Sequence, residues 1–200
     1  MAREVEFLFD FGSPTAYLAY TQLPRIAAQR KARILWRPIL LGGVHKASGN
    51  SAPMTVPAKG RWMFHDIARW AKRYGVAYQM NPHFPINTVA LMRAAVGVQM
   101  KMPEQFMHFV DVVYKAVWAD ARNMGDPAEV GSVLRAAGLD AERIVALTSE
   151  QEIKDRLKSN SDDAVARGVF GAPTFFVGKE MFFGQDRLEF VAEALDASPA

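Results

Sequence analysis

Val5 to Phe11 is an almost unbroken apolar and aromatic run, closed by Gly12-Ser13-Pro14. Only Glu6 and Asp10 interrupt it, and it is too short to form a buried helix. It reads as a β-strand covered on both faces, which demands a sheet with layers on either side. After the break, Ser13 suits a helix cap and Pro14 the first turn, where a missing N–H costs nothing. Tyr17, Leu18, Leu23 and Ile26 give that helix an apolar face, with Pro24 as a point of kinking or division. Ile34 to Trp36 follows as a second strand, stopped by Pro38.

The texture then changes. Gly42-Gly43, Gly49-Asn50, Pro53 and Pro57 make residues 42–60 read as mostly loop, longer than an ordinary connection and therefore a place for function. Met63, Ile67, Trp70 and Tyr74 then recur at helical spacing, as a core stripe does. Asn81-Pro82-His83-Phe84-Pro85 is a rigid interruption, and Asn87 is placed to cap a helix carrying Val89, Leu91, Met92 and Val96. Phe106, Phe109, Val110, Val113, Tyr114 and Val117 mark another helix. Asp126 with Glu129, and Ser149 with Glu152, have the spacing of a capping box, the second opening a helix that ends near Gly168. Phe175-Phe176-Val177 and Met181-Phe182-Phe183, joined across Gly178-Lys179, read as an antiparallel hairpin. Asp186 and Glu189 repeat the capping spacing before a last helix faced by Leu188, Val191 and Leu195, and Ser198-Pro199-Ala200 reads as a loose tail.

The order β-α-β, helical interval, β-β-α predicts an α/β fold with an interrupted mixed sheet. Residues 1–41 and 161–200 would close one discontinuous domain, with 42–160 as a mainly helical insertion.

Composition narrows the chemistry. The 200 residues contain no cysteine, which excludes disulfides, thiolate metal sites and any redox or nucleophilic step on the chain's own sulfur. Lys and Arg number 24 against 21 Asp and Glu, a net charge of +3. That excess is small, and no basic stripe is interleaved with stacking aromatics, so nucleic acid is not the expected partner. The basic group Arg25, Arg30, Lys31 and Arg33 fits an anionic small molecule at least as well. The histidines at 45, 65, 83 and 108 lack metal-ligand spacing, so no metal is expected. Glu4, Glu6 and Asp10 interrupt the stretch a secretory signal would keep apolar, and no apolar run approaches the ~18 residues of a membrane span. The expectation is a cytoplasmic protein without a membrane segment.

FDFGSPTAYLA, GVFGAPTFFV and MFFGQDRLEF, in that order, resemble the 2-hydroxychromene-2-carboxylate isomerases and the related kappa-class glutathione transferases, over about residues 4–195. Both lie in the DsbA-like branch of the thioredoxin fold, so the resemblance implies a thioredoxin-like mixed four-stranded sheet interrupted by a helical cap. Redox relatives open their first helix with C-x-x-C, where this chain has Ser13-Pro14-Thr15-Ala16. The resemblance therefore implies that glutathione supplies the sulfur and that Ser13 stabilises its thiolate, at a helix start whose N–H groups and field favour an anion. Read alone, Ser13 is first a simple helix cap. Pro173 matches a cis proline of the family, with the Ala172 backbone implied to bind the cysteinyl part of glutathione; read alone, Pro173 would be trans and start a strand. Gln185 and Asp186 match a polar pair that holds the γ-glutamyl end, and Asn50 and Lys59 match further contacts, Lys59 to the glycyl carboxylate. Lys46, Arg61, Trp62 and His83 are candidates for the substrate side of the pocket, although the residues alone favour packing of the cap for Trp62 and helix capping or surface exposure for His83.

The implied reaction is glutathione-dependent isomerisation of 2-hydroxychromene-2-carboxylate to trans-o-hydroxybenzylidenepyruvate, by reversible addition and elimination of thiolate. An aromatic small-molecule substrate and a homodimer come with it. The alternatives are a kappa-like transferase or peroxidase acting on another electrophile, and a cysteine-free binding or chaperone module.

Overall fold

The computed structural model describes residues 3–198. Strand β1 (Glu4–Phe9) leads through Ser13 into helix α1 (Pro14–Gln29), then strand β2 (Arg33–Pro38). Helices α2 (Leu41–Ser48), α3 (Pro57–Tyr74), α4 (Val89–Lys101), α5 (Phe106–Trp118), α6 (Pro127–Ala136), α7 (Ala141–Leu147) and α8 (Gln151–Ala166) follow. Strands β3 (Thr174–Val177) and β4 (Glu180–Phe183) and helix α9 (Leu188–Ala197) complete the order. The four strands form one mixed sheet in the order β2-β1-β3-β4. β1 runs parallel to β2 and antiparallel to β3, so that Phe7 stands opposite both Trp36 and Phe175. This is the thioredoxin-like arrangement with a helical cap.

The two faces of β1 explain its composition. Val5, Phe7 and Phe9 enter the large core cluster, which continues without a break through Phe109, Tyr114 and Trp118 of α5. Leu8 enters a smaller cluster on the other face, with Ile39, Val44, Val169 and Phe176. Glu6 also lies on that second face and is buried, but its carboxylate meets Arg37 at 2.7 Å and Arg167 at 2.5 Å. A buried carboxylate persists there because two guanidinium groups satisfy it.

Several expectations are corrected. Residues 42–60 are not mostly loop: they hold α2, a single 3-10 turn over Pro53–Thr55 and the start of α3. Gly49 and Pro57 sit at element ends, where they cost little, while Gly42 and Gly43 lie within the first turn of α2. Gly49 closes α2 in the left-handed region (φ 72°), and Pro57 opens α3 at its first turn. Ser149 does not cap α8; Glu150 stands at that cap without a side-chain bond, and the Ser149 N–H instead closes the end of α7 on Ala146. The unforeseen α7 is capped by Asp140, which accepts from Arg143 N at 3.0 Å. Asp186 caps nothing, because a 3-10 turn over Gln185–Arg187 precedes α9. Thr88 occupies the cap of α4, while the neighbouring Asn87 accepts from Val89 N. β1 stops at Phe9, two residues before the apolar run ends. Asp126 caps α6 as expected, accepting from Ala128 N at 2.9 Å. Of the expected tail, Pro199 and Ala200 lie outside the described residues, and Ser198 directly follows α9. The domain boundaries placed at 41/42 and 160/161 fall inside α2 and α8.

Close packing in the cap gives one quantitative expectation. A Cβ on Gly97 of α4 would lie 2.9 Å from Leu147 Cβ and 3.0 Å from Ile153 Cδ1. Alanine gains about 1 kcal/mol of helix propensity, but forcing a methyl into a filled core costs about 1–3 kcal/mol. Leu147 Cβ is fixed to its backbone and cannot swing away, so the cost wins. Gly97→Ala is expected to lower stability by up to about 2 kcal/mol, read as a lower denaturant midpoint at unchanged slope.

Candidate functional site

The turn out of β1 is organised by Asp10. This carboxylate is 1% exposed and accepts the Gly12 N–H through one oxygen and the Leu41 N–H through the other, each at 2.8 Å. A single side chain thus ties down the entries to both α1 and α2. Burial raises its pKa, opposed by the hydrogen bonds from Gly12, Leu41 and Thr88.

Ser13 follows, buried at the start of α1. Its Oγ accepts from Ala16 N at 3.1 Å, satisfying one of the helix's free N–H groups, and donates to the carbonyl of Ala172 at 2.8 Å. Thr15 Oγ1 lies 3.0 Å from Ser13 Oγ and donates to the same carbonyl at 3.4 Å. The Ala172–Pro173 peptide is cis, as is Phe84–Pro85. The first helix start and the turn before β3 are therefore in direct contact, from opposite ends of the sequence.

A cavity of about 760 Å³ opens over this contact. Ser13, Asn50, Lys59, Trp62, Ala172, Gln185 and Asp186 all line it, whereas Pro173 is buried and does not. Lys46, Arg61 and His83 do not line it. The reason for two of them is helical phase. Lys59, Trp62, Met63 and Asp66 form the cavity face of α3, at spacings of three and four that leave Arg61 off the stripe. On α2 the cavity face passes through Leu41, His45 and Ser48, which leaves Lys46 exposed. His83 sits exposed in the turn fixed by Asn81, whose Oδ1 accepts the His83 N–H.

The wall carries both signs of charge. Lys59 is exposed and forms no ion pair among the described residues. Asp186 is bonded to its neighbour Arg187 at 2.8 Å. Gly184 (φ 103°) makes the turn before them, where a Cβ would stand 2.5 Å from Asp186 Oδ1, so only glycine permits this placement. Gln185 is buried, and its carbonyl accepts from Tyr74 Oη at 3.1 Å. Burial, reinforced by the charge of Asp186, pushes the Tyr74 hydroxyl up to about 12, so it stays a donor. The Asn50 amide spans the mouth, donating to the Phe170 carbonyl and accepting from Ser51 N, both at 2.8 Å.

Sequence reasoning missed His45, Asp66, Phe170 and Phe183 on this wall. Phe170 and Phe183 pack together with ring centroids 4.6 Å apart and remain 38% and 41% exposed. Phe170 precedes the hairpin and Phe183 is the last residue of β4, in a segment whose apolar character reads as core. His45 was hidden in a stretch read as loop.

The sequence pattern of the DSBA-like thioredoxin domain family matches residues 4–196. The chain is 30% identical over 197 residues to a 2-hydroxychromene-2-carboxylate isomerase of Sphingobium xenophagum, covering 98% of this chain and 99% of that protein. It is 28% identical to the glutathione S-transferase kappa 1 of Rattus norvegicus, covering 96% of this chain and 91% of the relative. Among solved structures, one of 2-hydroxychromene-2-carboxylate isomerase superposes with a TM-score of 0.82 at 30% identity, covering 96% of this chain and 94% of the other. Among the described residues no helix is long and apolar enough to cross a membrane.

Proposed function

This chain belongs to the DSBA-like thioredoxin domain family and, within it, to the 2-hydroxychromene-2-carboxylate isomerases, and on that footing we propose that it converts 2-hydroxychromene-2-carboxylate to trans-o-hydroxybenzylidenepyruvate with glutathione as cofactor. One observation carries the reading. The hydroxyl of Ser13 stands at a helix start in a cysteine-free chain, on the wall of a cavity, against the carbonyl before a cis proline. A hydroxyl so placed suits a donor to a sulfur that the chain itself does not carry and that glutathione would bring.

The donor set fits glutathione. Lys59 suits the glycyl carboxylate, Asp186 the γ-glutamyl ammonium, Gln185 and the nearby backbone the adjoining carboxylate, and the Ala172 backbone the cysteinyl amide. Asn50 adds an amide at the mouth. A cavity of about 760 Å³ has room for a second, aromatic molecule beside the tripeptide. When bound, glutathione supplies a thiolate that adds to the conjugated double bond, permits rotation and is eliminated unchanged.

The chain's own residues do the rest. Ser13 has one proton to give, and it now goes to Ala172. With glutathione bound, that O–H would turn to the sulfur and the Ala172 carbonyl would be open to the cysteinyl N–H, with Thr15 still within reach of the carbonyl. The N-terminal field of α1 acts on the same negative charge. Trp62, Phe84, Phe170 and Phe183 supply an apolar wall that suits an aromatic ring and excludes water from the developing enolate charge.

The test is turnover of the chromene carboxylate with and without glutathione. The expected result is a saturable dependence on glutathione with no net consumption of it; equal turnover in its absence would sink the mechanism. The similarity to the kappa transferase favours a second reading, conjugation of another electrophile at the same site, and a parallel assay that consumes glutathione separates the two. The isomerase reading also carries a cytoplasmic homodimer. Val56, Trp62 and Phe190 leave apolar surface for a second copy to cover, and light scattering at twice the chain mass is the expected result.

A further inference from the structure

We propose that His45 is the general base that opens the hemiketal ring of the bound substrate. This rests on the isomerase reading and adds a step that the thiolate site leaves unassigned. Ring opening needs a proton taken from the C2 hydroxyl. As that O–H bond breaks, its electron pair forms the C2 carbonyl, the bond from C2 to the ring oxygen breaks, and the pair leaves on the phenolate. The imidazolium then returns the proton to the phenolate oxygen, so atoms and charge balance and no outside reagent is consumed.

Three features of the site select His45. It lies on the cavity wall with Ser13, half-buried, and among the described residues its ring forms no hydrogen bond. It sits one helical turn after Leu41, whose N–H is held by Asp10, and the other oxygen of Asp10 holds Gly12 beside Ser13. One buried carboxylate thus fixes the helix starts that carry the thiolate-binding hydroxyl and the imidazole. Finally, burial lowers the pKa of His45 and the Asp10 charge only partly opposes this, so the ring is neutral and basic near neutral pH.

The charges around it are accounted for. Lys59 and Asp66 of α3, and Asp186 and Arg187 beyond β4, share the cavity wall, and Lys46 neighbours His45 on its own helix. On α8, which packs against α2, Lys158 pairs with Asp162, while Arg167 pairs with Glu6 of β1. None of these is hydrogen-bonded to the imidazole among the described residues.

The experiment compares wild type with His45→Ala in kcat, pH profile and glutathione affinity. The expected result is a fall in kcat of about 10²-fold with glutathione affinity unchanged. The wild-type kcat declines on the acid side as His45 takes up its proton; that limb is absent from the variant, and added imidazole restores part of the rate. Should H45A lose glutathione binding, H45Q, which keeps the bulk of the side chain, is read in the same way. Wild-type kcat with the acid limb intact in the variant would overturn the assignment while leaving glutathione-dependent isomerisation standing. Absence of glutathione-dependent turnover in the wild type would remove both.

Discussion

Ser13→Ala is expected to lower glutathione-dependent turnover by about 10²–10³-fold, the loss that follows removal of one preorganised donor to developing or bound negative charge. The variant also loses the cap that accepts Ala16 N, which costs about 1 kcal/mol of stability, too little to unfold a chain of this size. The two effects are separable. Thiolate absorbance of bound glutathione, followed against pH, is expected to show the thiol pKa returning toward its value in free solution, whereas a purely structural serine would leave it where it was. Ser13→Thr keeps the hydroxyl and is expected to retain more activity than alanine. Wild-type turnover in the alanine variant would leave the thiolate without its proposed partner.

Asp10→Ala is expected to cost about 2–6 kcal/mol of folding stability, because the N–H groups of Gly12 and Leu41 both lose their acceptor at about 1–3 kcal/mol each. The loss depends on pH in a direction the burial dictates. The folded pKa of Asp10 lies above its ordinary 3.8, so the native state holds this proton more tightly than the unfolded chain does. The linked stabilisation is fully present below that ordinary value and is lost as pH rises through the raised one. The gap between wild type and variant is therefore widest in acid and narrows toward neutrality, measurable as denaturant midpoints across the pH range. A gap that widens with rising pH would mean that the folded protein favours the carboxylate. Turnover falls as well, since the entries to α1 and α2 lose their common anchor.

What could be read from the sequence follows from where the physical signals are strong. β1 and the hairpin announce themselves because Phe7, Phe9, Phe175 and Phe176 crowd a short span between breakers, and the sheet buries both faces of β1. The contact between Ser13 and Ala172 is implied only by the family resemblance of two motifs far apart in the chain, since neither motif read alone points to the other. Residues 42–60 misled because glycine and proline mark helix ends as readily as loops, and composition does not say which side of Gly49 or Pro57 is helical. The choice among Lys59, Arg61 and Trp62 turns on the phase of α3, which is set by packing. A polar residue near a helix start is ambiguous in the same way: Asp126 caps, Asp186 does not, and the difference is a 3-10 turn that no local spacing predicts.

The position of β1 at the centre of the sheet also has a consequence for synthesis. Its parallel partner β2 emerges from the ribosome almost at once, but its other partner, β3, belongs to the last part of the chain. At about 5–20 residues per second, the nascent protein spends on the order of 10 s or more with one apolar strand edge unpaired. During that interval the edge is a binding site for chaperones and for other nascent chains. A transcript stopped anywhere before β3 yields neither a closed sheet nor a cavity, however well its helices form.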